Sequence, residues 1–329
     1  MATVLVTGGA GFVGSNVADH LARSGHRVLV VDDLRRPGSE RNAAWLAAEH
    51  GSRLDVIVAS FDERRVLDVA LADCEAVIHL AAQVAVTASL RDPMEDFEVN
   101  ARGTLRLLES VRLRAPAVPF LYASTNKVYG TLAEVAGSVG EEQALDPHTP
   151  YGCSKATADL YVREYHRSFG LRGVVFRQSC VYGPHQFGGE DQGWVAHFVH
   201  EAIAGRPLAI FGDGGQVRDL LEVSDLVRLY ELVIANIDRC AGRAFNVGGG
   251  PDNARSLLQV ISAIRQLTGL EVAYHLAPPR PADQRSFVAD VSRVRALLGW
   301  EPTVGVEEGL GRLIEWAYSV SRPRSSVPG

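Results

Sequence analysis

Short apolar runs rich in β-branched residues recur along the chain, and the stretches between them carry apolar residues at helical spacing. The runs Thr3–Thr7, Arg27–Val31, Leu54–Val58, Ala76–Ala82, Val118–Ala123, Gly173–Gln178, Leu208–Phe211 and Arg243–Gly248 read as strands. Helices are predicted over Asn16–Arg23, from Asn100 onward, from Pro150 through the Ala-rich run Ala156–Leu160, around Gly193–Val199 and over Ser224–Tyr230. Strands joined through helices rather than tight turns pair in parallel, so the pattern predicts an α/β chain built on a doubly wound parallel sheet. The polar, turn-rich segment Pro37–Arg53 reads as a connection.

From His185 to Gly215 the composition changes, with aromatic, Gly and charged residues mixed and the loops longer. That shift marks a smaller α/β lobe that binds substrate. The expected division gives residues 1–183 to the first lobe, with 220–250 returning to it, and 184–219 and 251–321 to the second. Residues 322–329, rich in Pro, Ser and Arg, read as a frayed tail.

With 329 residues, 47% of them apolar, the chain is long enough to bury a full core in both lobes. Its 33 Lys+Arg against 39 Asp+Glu give a net charge of −6, so no basic surplus points to nucleic acid or an anionic membrane. The four cysteines, Cys74, Cys153, Cys180 and Cys240, have neither CxxC spacing nor a His cluster beside them, which argues against a zinc site or a disulfide framework. No charged leader and no apolar run of membrane-spanning length is present, and a cytoplasmic protein is expected.

Chemistry enters where strands end. The first strand runs into Gly8-Gly-Ala-Gly11-Phe-Val-Gly14 and then a helix, an order that lets backbone amides approach a pyrophosphate at a helix N-terminus. The second strand ends in Asp32-Asp33, where a carboxylate would meet the adenosine ribose hydroxyls of a dinucleotide in a Rossmann arrangement. Asp32 would repel a 2′-phosphate and so favours NAD over NADP, although Arg35 and Arg36 stand close enough to accommodate one. Asp62, after the third strand, is placed to approach the adenine or to cap a helix.

The strand Val118–Ala123 leads into Ser124-Thr125, and a helix starting near Pro150 would put Tyr151 and Lys155 on one face. A lysine ammonium there lowers the tyrosine pKa and prepares the phenol to take a proton from a sugar hydroxyl. Taken alone, the same pair could be no more than a solvated helix start.

Together with His79-Leu-Ala-Ala82, Asn100-Ala-Arg-Gly-Thr104, Ser124-Thr-Asn-Lys-Val-Tyr-Gly130 and Tyr151-Gly-Cys-Ser-Lys155, these motifs resemble the extended short-chain dehydrogenase/reductases that act on nucleotide sugars, over nearly the whole chain. Within that family the chain is similar to the CDP-paratose 2-epimerase (CDP-tyvelose epimerase) group, through Asp191-Gln-Gly-Trp-Val195, Gln216-Val-Arg-Asp219 and Asp283-Gln-Arg285 followed by Phe287-Val-Ala-Asp290. The resemblance implies that NAD contacts Gly8, Gly11, Phe12, Val13, Gly14, Asp32, Asp33, Asp62, Leu80, Ala81, Ala82, Gln83, Asn100, Ser124, Tyr151, Lys155 and Gln178. It gives Thr125, Tyr151 and Lys155 the catalysis. It gives the nucleotide-diphosphate sugar Gln83, Thr125, Asn126, Lys127, Cys180, Gln192, Gly193, Trp194, Arg218, Arg280 and Arg285, the arginines as diphosphate ligands. A surface or interlobe ion pair for each arginine, and a core role for Trp194, stand as the structural alternatives.

Two departures from relatives sharpen this picture. The 4,6-dehydratases carry Asp and Glu after the Thr, an acid and a base that remove water; here Asn126 and Lys127 stand there, and neither does that work in its ordinary protonation state. Many relatives carry Asn where this chain has Cys180, and the tyvelose-type sequences also lack it. The resemblance therefore implies transient oxidation to a keto sugar, inversion at carbon 2 and re-reduction, by a homodimer or homotetramer. A 4-epimerase, a 4,6-dehydratase and an NAD-binding regulatory protein are the rival readings.

Overall fold

A computed structural model describes residues 2–132 and 137–321. The predicted tail, 322–329, lies outside the described residues. Seven strands form one parallel sheet: β1 (Thr3–Thr7), β2 (Arg27–Asp32), β3 (Leu54–Val58), β4 (Ala76–His79), β5 (Pro119–Thr125), β6 (Arg172–Gln178) and β10 (Ala244–Val247). Their order across the sheet is β3-β2-β1-β4-β5-β6-β10, so the winding reverses between β1 and β4 and opens a crevice at the carboxyl ends there. These strands read as continuous apolar runs because both faces are covered. Helices α1 (Phe12–Arg23), α2 (Ser39–His50) and α9 (Val223–Ala235), the last followed by α10 (Ile237–Cys240), cover one face. On the other lie α3 (Arg64–Ala70), α6 (Thr104–Arg114) and α7 (Pro150–Phe169), with α4 (Val86–Arg91) and α5 (Pro93–Phe97) beside α7.

The second lobe has its own core under α8 (Trp194–Ile203), α11 (Leu257–Thr268) and α13 (Val306–Ser321). One of its sheets holds β9 (Val217–Glu222) between β11 (Ala254–Ser256) and β13 (Ser286–Phe287), with β7 (Cys180–Tyr182) also on β9; the other pairs β8 (Leu208–Phe211) with β12 (Tyr274–Ala277). The range 251–321 divides between the lobes. Val294 in α12 (Ser292–Leu298) and the fully buried Trp300 pack into the core of the first lobe, and Trp300 donates to the Asp225 carbonyl.

Two local readings change. Pro37–Arg53 is not a bare connection but contains α2, whose apolar residues, Ala43 to Ala48, are consecutive and show no helical period; Ala43 and Leu46 are the apolar residues it buries fully. Glu98–Gly103 forms a π-turn continuous with α6, and the Asn100 side chain, drawn inward there, bonds several partners at once.

A buried ion pair sets the register of α7 on the sheet. Asp159 of α7, fully buried, accepts from Nε (2.8 Å) and Nη2 (3.1 Å) of Arg177 in β6 and from Oγ of Ser124 in β5 (3.1 Å). Removing the arginine leaves a buried carboxylate without its counter-ion. Arg177→Leu is therefore expected to cost about 3–5 kcal/mol of stability, read as a lower urea midpoint; a midpoint within error of wild type would show that Asp159 is satisfied without it.

Candidate active site

The crevice at the carboxyl ends holds two adjoining cavities, of about 330 and about 370 Å³, with Phe12, Val13, Leu80 and Gln186 common to their walls. The smaller lies over the glycine turn. Gly8 has φ +68°, and a Cβ there would stand 2.6 Å from the Ala81 amide; one on Gly14 would stand 2.2 Å from the Gly8 carbonyl. Gly11 caps α1 without any side-chain bond, so the helix N-terminus faces the cavity bare. Asp32 lines the same space, oriented by the Ala10 and Leu34 amides (3.0 and 2.9 Å). These residues fit a dinucleotide, with its pyrophosphate over the turn and a ribose at Asp32.

Of the residues expected here, Gly8, Gly11, Phe12, Val13, Gly14, Asp32, Asp33, Asp62, Leu80, Ala81 and Ala82 line this cavity. Asp62 does not cap α3, whose N-cap is Glu63; it pairs with Arg106 (2.9 Å) and keeps a place in the wall. Gln83 and Asn100 are set apart. The Asn100 amide accepts from the Gln83 backbone N–H and donates to its carbonyl (2.9 Å each), while the Gln83 side chain donates to Asp96 (2.8 Å). Both side chains are spent on bracing the strand end, not on the cavity wall.

The larger cavity gathers Ser124, Thr125, Asn126, Lys127, Tyr151, Lys155, Gln178, Cys180, Gln192, Gly193, Trp194, Arg218 and Arg280. Thr149 caps α7 by accepting from the Gly152 amide (3.1 Å), and Pro150 follows at the first turn, which delivers Tyr151 and Lys155 to the end of β5. Trp194 serves both of its readings, lining the cavity and packing edge-on to Phe198 (5.2 Å between centroids). Arg285 stands elsewhere, exposed and paired with Asp213 (2.6 Å).

Electrostatics here differ from the expectation that Lys155 lowers Tyr151. Burial pushes the Tyr151 phenol up to about 12 and Lys155 down to about 7. The Lys155 ammonium sits over the ring of fully buried Tyr122, 4.4 Å from its centroid. A lysine this poorly solvated carries only part of its charge near neutrality, so it cannot hold the phenolate form as an exposed one would.

The cations meant for an anionic ligand are already held. Arg218, buried, donates to Asp283 and to the Gln284 carbonyl (2.7 Å each); Lys127 lies 3.6 Å from Asp283; Arg280 reaches Glu190 (3.4 Å) and Asp191 (3.8 Å) and covers Phe211 (4.1 Å). Burial pushes Lys127 down to about 8. Sequence reading missed Glu190, Asp283 and Gln284 as site residues, although Asp283 and Gln284 stood inside a quoted motif. Among the described residues no cluster of His, Cys, Asp and Glu could hold a metal, and no helix is long and apolar enough to cross a membrane.

The model of the NAD dependent epimerase/dehydratase family matches residues 4–248. The chain is 37% identical to CDP-paratose 2-epimerase of Salmonella typhi over 96% of its length and 99% of that protein, and 34% identical to UDP-glucose 4-epimerase of Mycolicibacterium smegmatis over 97% and 99%. It superposes on the crystal structure of Thermus thermophilus UDP-glucose 4-epimerase in complex with NAD with a TM-score of 0.85, at 32% identity, covering 96% of this chain and 99% of that one.

The Lys155 shift carries a sign that stability can report. The unfolded lysine titrates near its ordinary value of 10.5 and the folded one at about 7, so below about 7 both are protonated and the buried ammonium costs its full penalty. As pH rises from 7 toward 10.5 the folded lysine is neutral while the unfolded one still binds a proton, and the penalty fades. Lys155→Met should therefore be more stable than wild type at pH 7, by a margin that shrinks as the pH approaches 10; a pH-independent margin in denaturant titrations would contradict the buried, half-charged lysine.

Proposed function

The chain belongs to the NAD dependent epimerase/dehydratase family, and we propose that within it this enzyme inverts carbon 2 of a nucleotide-diphosphate sugar of the CDP-paratose/CDP-tyvelose type. NAD, when bound, takes a hydride from the sugar carbon and returns it. Everything else falls to the chain. The glycine turn and Asp32 hold the dinucleotide, and Arg218 and Arg280 exchange their carboxylate partners for the sugar nucleotide's diphosphate. Thr125 and Tyr151 bind the reacting hydroxyl, and Tyr151 takes its proton and later gives it back. Lys155, which lines the same cavity, would hold the nicotinamide ribose.

The observation that carries this reading is the turn after Thr125. The Asn126 amide is bound to Gln284 (3.0 Å) and the Lys127 ammonium lies beside Asp283, so the positions next to the reacting hydroxyl hold no free acid and base to remove water. Inversion by oxidation and return needs neither. The relative with 37% identity acts, by its name, at carbon 2.

We further infer a cytoplasmic homodimer. Leu90, Met94, Phe97, Leu160, Tyr161 and Phe169 are exposed on the neighbouring helices α4, α5 and α7, an apolar group that a second copy would cover. The four cysteines are all free, as thiols are in a reducing compartment. Light scattering should give twice the chain mass, and Leu160→Glu should halve it; a wild-type monomer at micromolar concentration would refute the dimer.

Incubation with CDP-, UDP-, GDP- and dTDP-sugars in deuterated water, followed by proton NMR, tests the chemistry. The expected result is inversion at carbon 2 with the hydrogen retained there, and a loss of roughly a thousandfold in Tyr151→Phe without loss of NAD binding. Inversion at carbon 4 would assign the chain to the other epimerase reaction, and a 4-keto-6-deoxy product would overturn the reading of Asn126 and Lys127.

A further inference from the structure

The Asn126 side chain is oriented from the far side of the active site. Gln284 enters with the strand β13 segment and is fully buried, although 158 residues separate it from Asn126. Its Nε2 donates to the Gly130 carbonyl (2.6 Å) and, at longer range, to that of Asn126 (3.4 Å). A carbonyl oxygen only accepts, so the Gln284 amide has one orientation and its Oε1 is left facing Asn126. There it accepts from Nδ2 of Asn126 (3.0 Å), which fixes that amide in turn and directs Oδ1 to the Thr125 hydroxyl (3.3 Å). Thr125 Oγ1 also accepts from the Lys127 amide (3.3 Å). The one proton of the Thr125 hydroxyl is thereby committed to Asn126.

We propose that Gln284 is a positioning residue that acts through Asn126 to set the polarity of the Thr125 hydroxyl in the catalytic centre. The proposal rests on the reading of Thr125 and Tyr151 as the pair that meets the sugar hydroxyl. The hydrogen bonds run one way along the chain, from Thr125 Oγ1 to Asn126 Oδ1, from Asn126 Nδ2 to Gln284 Oε1 and from Gln284 Nε2 to the Gly130 carbonyl. With its proton drawn toward Asn126, Thr125 lowers the Tyr151 phenol less than a freely turning hydroxyl would, and burial outweighs it. The device fixes where the Thr125 oxygen stands beside Tyr151, so that the two meet one sugar hydroxyl together. It also explains why position 126 carries an amide: the fixed Gln284 carbonyl requires a donor there, which an ionised carboxylate cannot be.

Breaking the chain frees the Thr125 proton to turn toward Tyr151, stabilising the phenolate. The other groups whose charge reaches Tyr151, Asp96 from α5 and Arg36 from the loop after β2, are the same before and after the change, as are Lys155 on its own helix, Lys127 in the turn and the Tyr122 phenol on β5. Gln284→Met and Asn126→Ala attack the chain from opposite lobes, so one remains informative if the other fails to fold. Each should lower kcat about ten- to a hundredfold with the KM for the sugar nucleotide within about twofold of wild type. Each should also move the acid limb of the kcat/KM profile to lower pH by roughly half a unit or more. The double variant should be no slower than the worse single one. Losses that multiply, or an acid limb that stays in place, would reduce Gln284 to a brace for the Gly130 turn and overturn the proposal. The profiles are taken on whichever nucleotide sugar the wild type turns over, at whichever carbon. Tyrosinate absorbance titrations, each as the difference from the same background carrying Tyr151→Phe, should show the same displacement without turnover. A wrong assignment of the carbon and a wrong assignment of Gln284 thus fail separately.

Discussion

The register of α7 against the sheet depends on one buried carboxylate. Asp159 lies two turns beyond Tyr151, and it is held by Ser124 from β5 and Arg177 from β6 at once. Arg177 passes the network on to the Tyr129 hydroxyl (3.0 Å), and Tyr129 to Asn246 of β10 (2.7 Å). A helix packed by apolar contacts alone can slide or rotate at small cost, whereas a charge that leaves its counter-ion inside a core cannot. The polar network therefore selects one seating of α7, and in that seating Tyr151 and Lys155 arrive at the residue after Ser124. Catalytic geometry here is a by-product of satisfying Asp159.

The second lobe does more than cover the crevice. Its segment before β13 brings Asp283 against Arg218 and Lys127, and Gln284 against Asn126, while Phe287 and Ala289 pack on Val128 and Tyr129 of the turn. The turn that follows Thr125 is thus built jointly by both lobes. Its cations are neutralised by the protein's own carboxylates, so on the proposed reading a diphosphate would meet arginines that are oriented and paired. Exchange of one anion for another would disturb the charge balance of the pocket less than filling a site of bare cations, and would make binding depend on displacement of Asp283 and of Glu190 with Asp191.

The strands and the glycine turn were legible because a strand buried on both faces leaves a local signature, an apolar run, and a dinucleotide turn leaves another in its glycines. Tyr151 and Lys155 were legible because helical spacing joins residues four apart. Where local pattern and tertiary role parted, the reading failed in a consistent way. Helix α2 was passed over because its apolar residues, Ala43 to Ala48, are consecutive and show no helical period, and its inner face is finished by Asn42, which bonds the Ala10 and His185 carbonyls. Asn100 and Gln83 were assigned to the cofactor, yet the Asn100 amide is held by the Gln83 backbone and the Gln83 side chain by Asp96 and Ala85, and Arg285 was assigned to the diphosphate although it faces outward. Residue type alone does not say which way a side chain points. The Tyr151–Lys155 electrostatics were misjudged for a related reason: spacing gives proximity, but the size of the effect depends on burial, which removes charge from the lysine that was to supply it.

The same distinction bears on regiochemistry. On the proposed reading, proton transfer and hydride exchange would set no preference among ring carbons, because Tyr151 and Thr125 would act on whichever hydroxyl stands before them. Selection must come from the groups that fix the sugar nucleotide farther out, and those are the residues in which the larger cavity is particular: Lys127 with Asp283, Cys180, Trp194 and the Arg280 pairing with Glu190 and Asp191. The Cys180 thiol, pushed up to about 12 by burial, stays neutral and offers only a weak hydrogen bond in the cavity wall, where an asparagine would offer a strong one. On the proposed reading, regiochemistry would therefore rest on how Cys180 and the Lys127–Asp283 pair grip the sugar nucleotide.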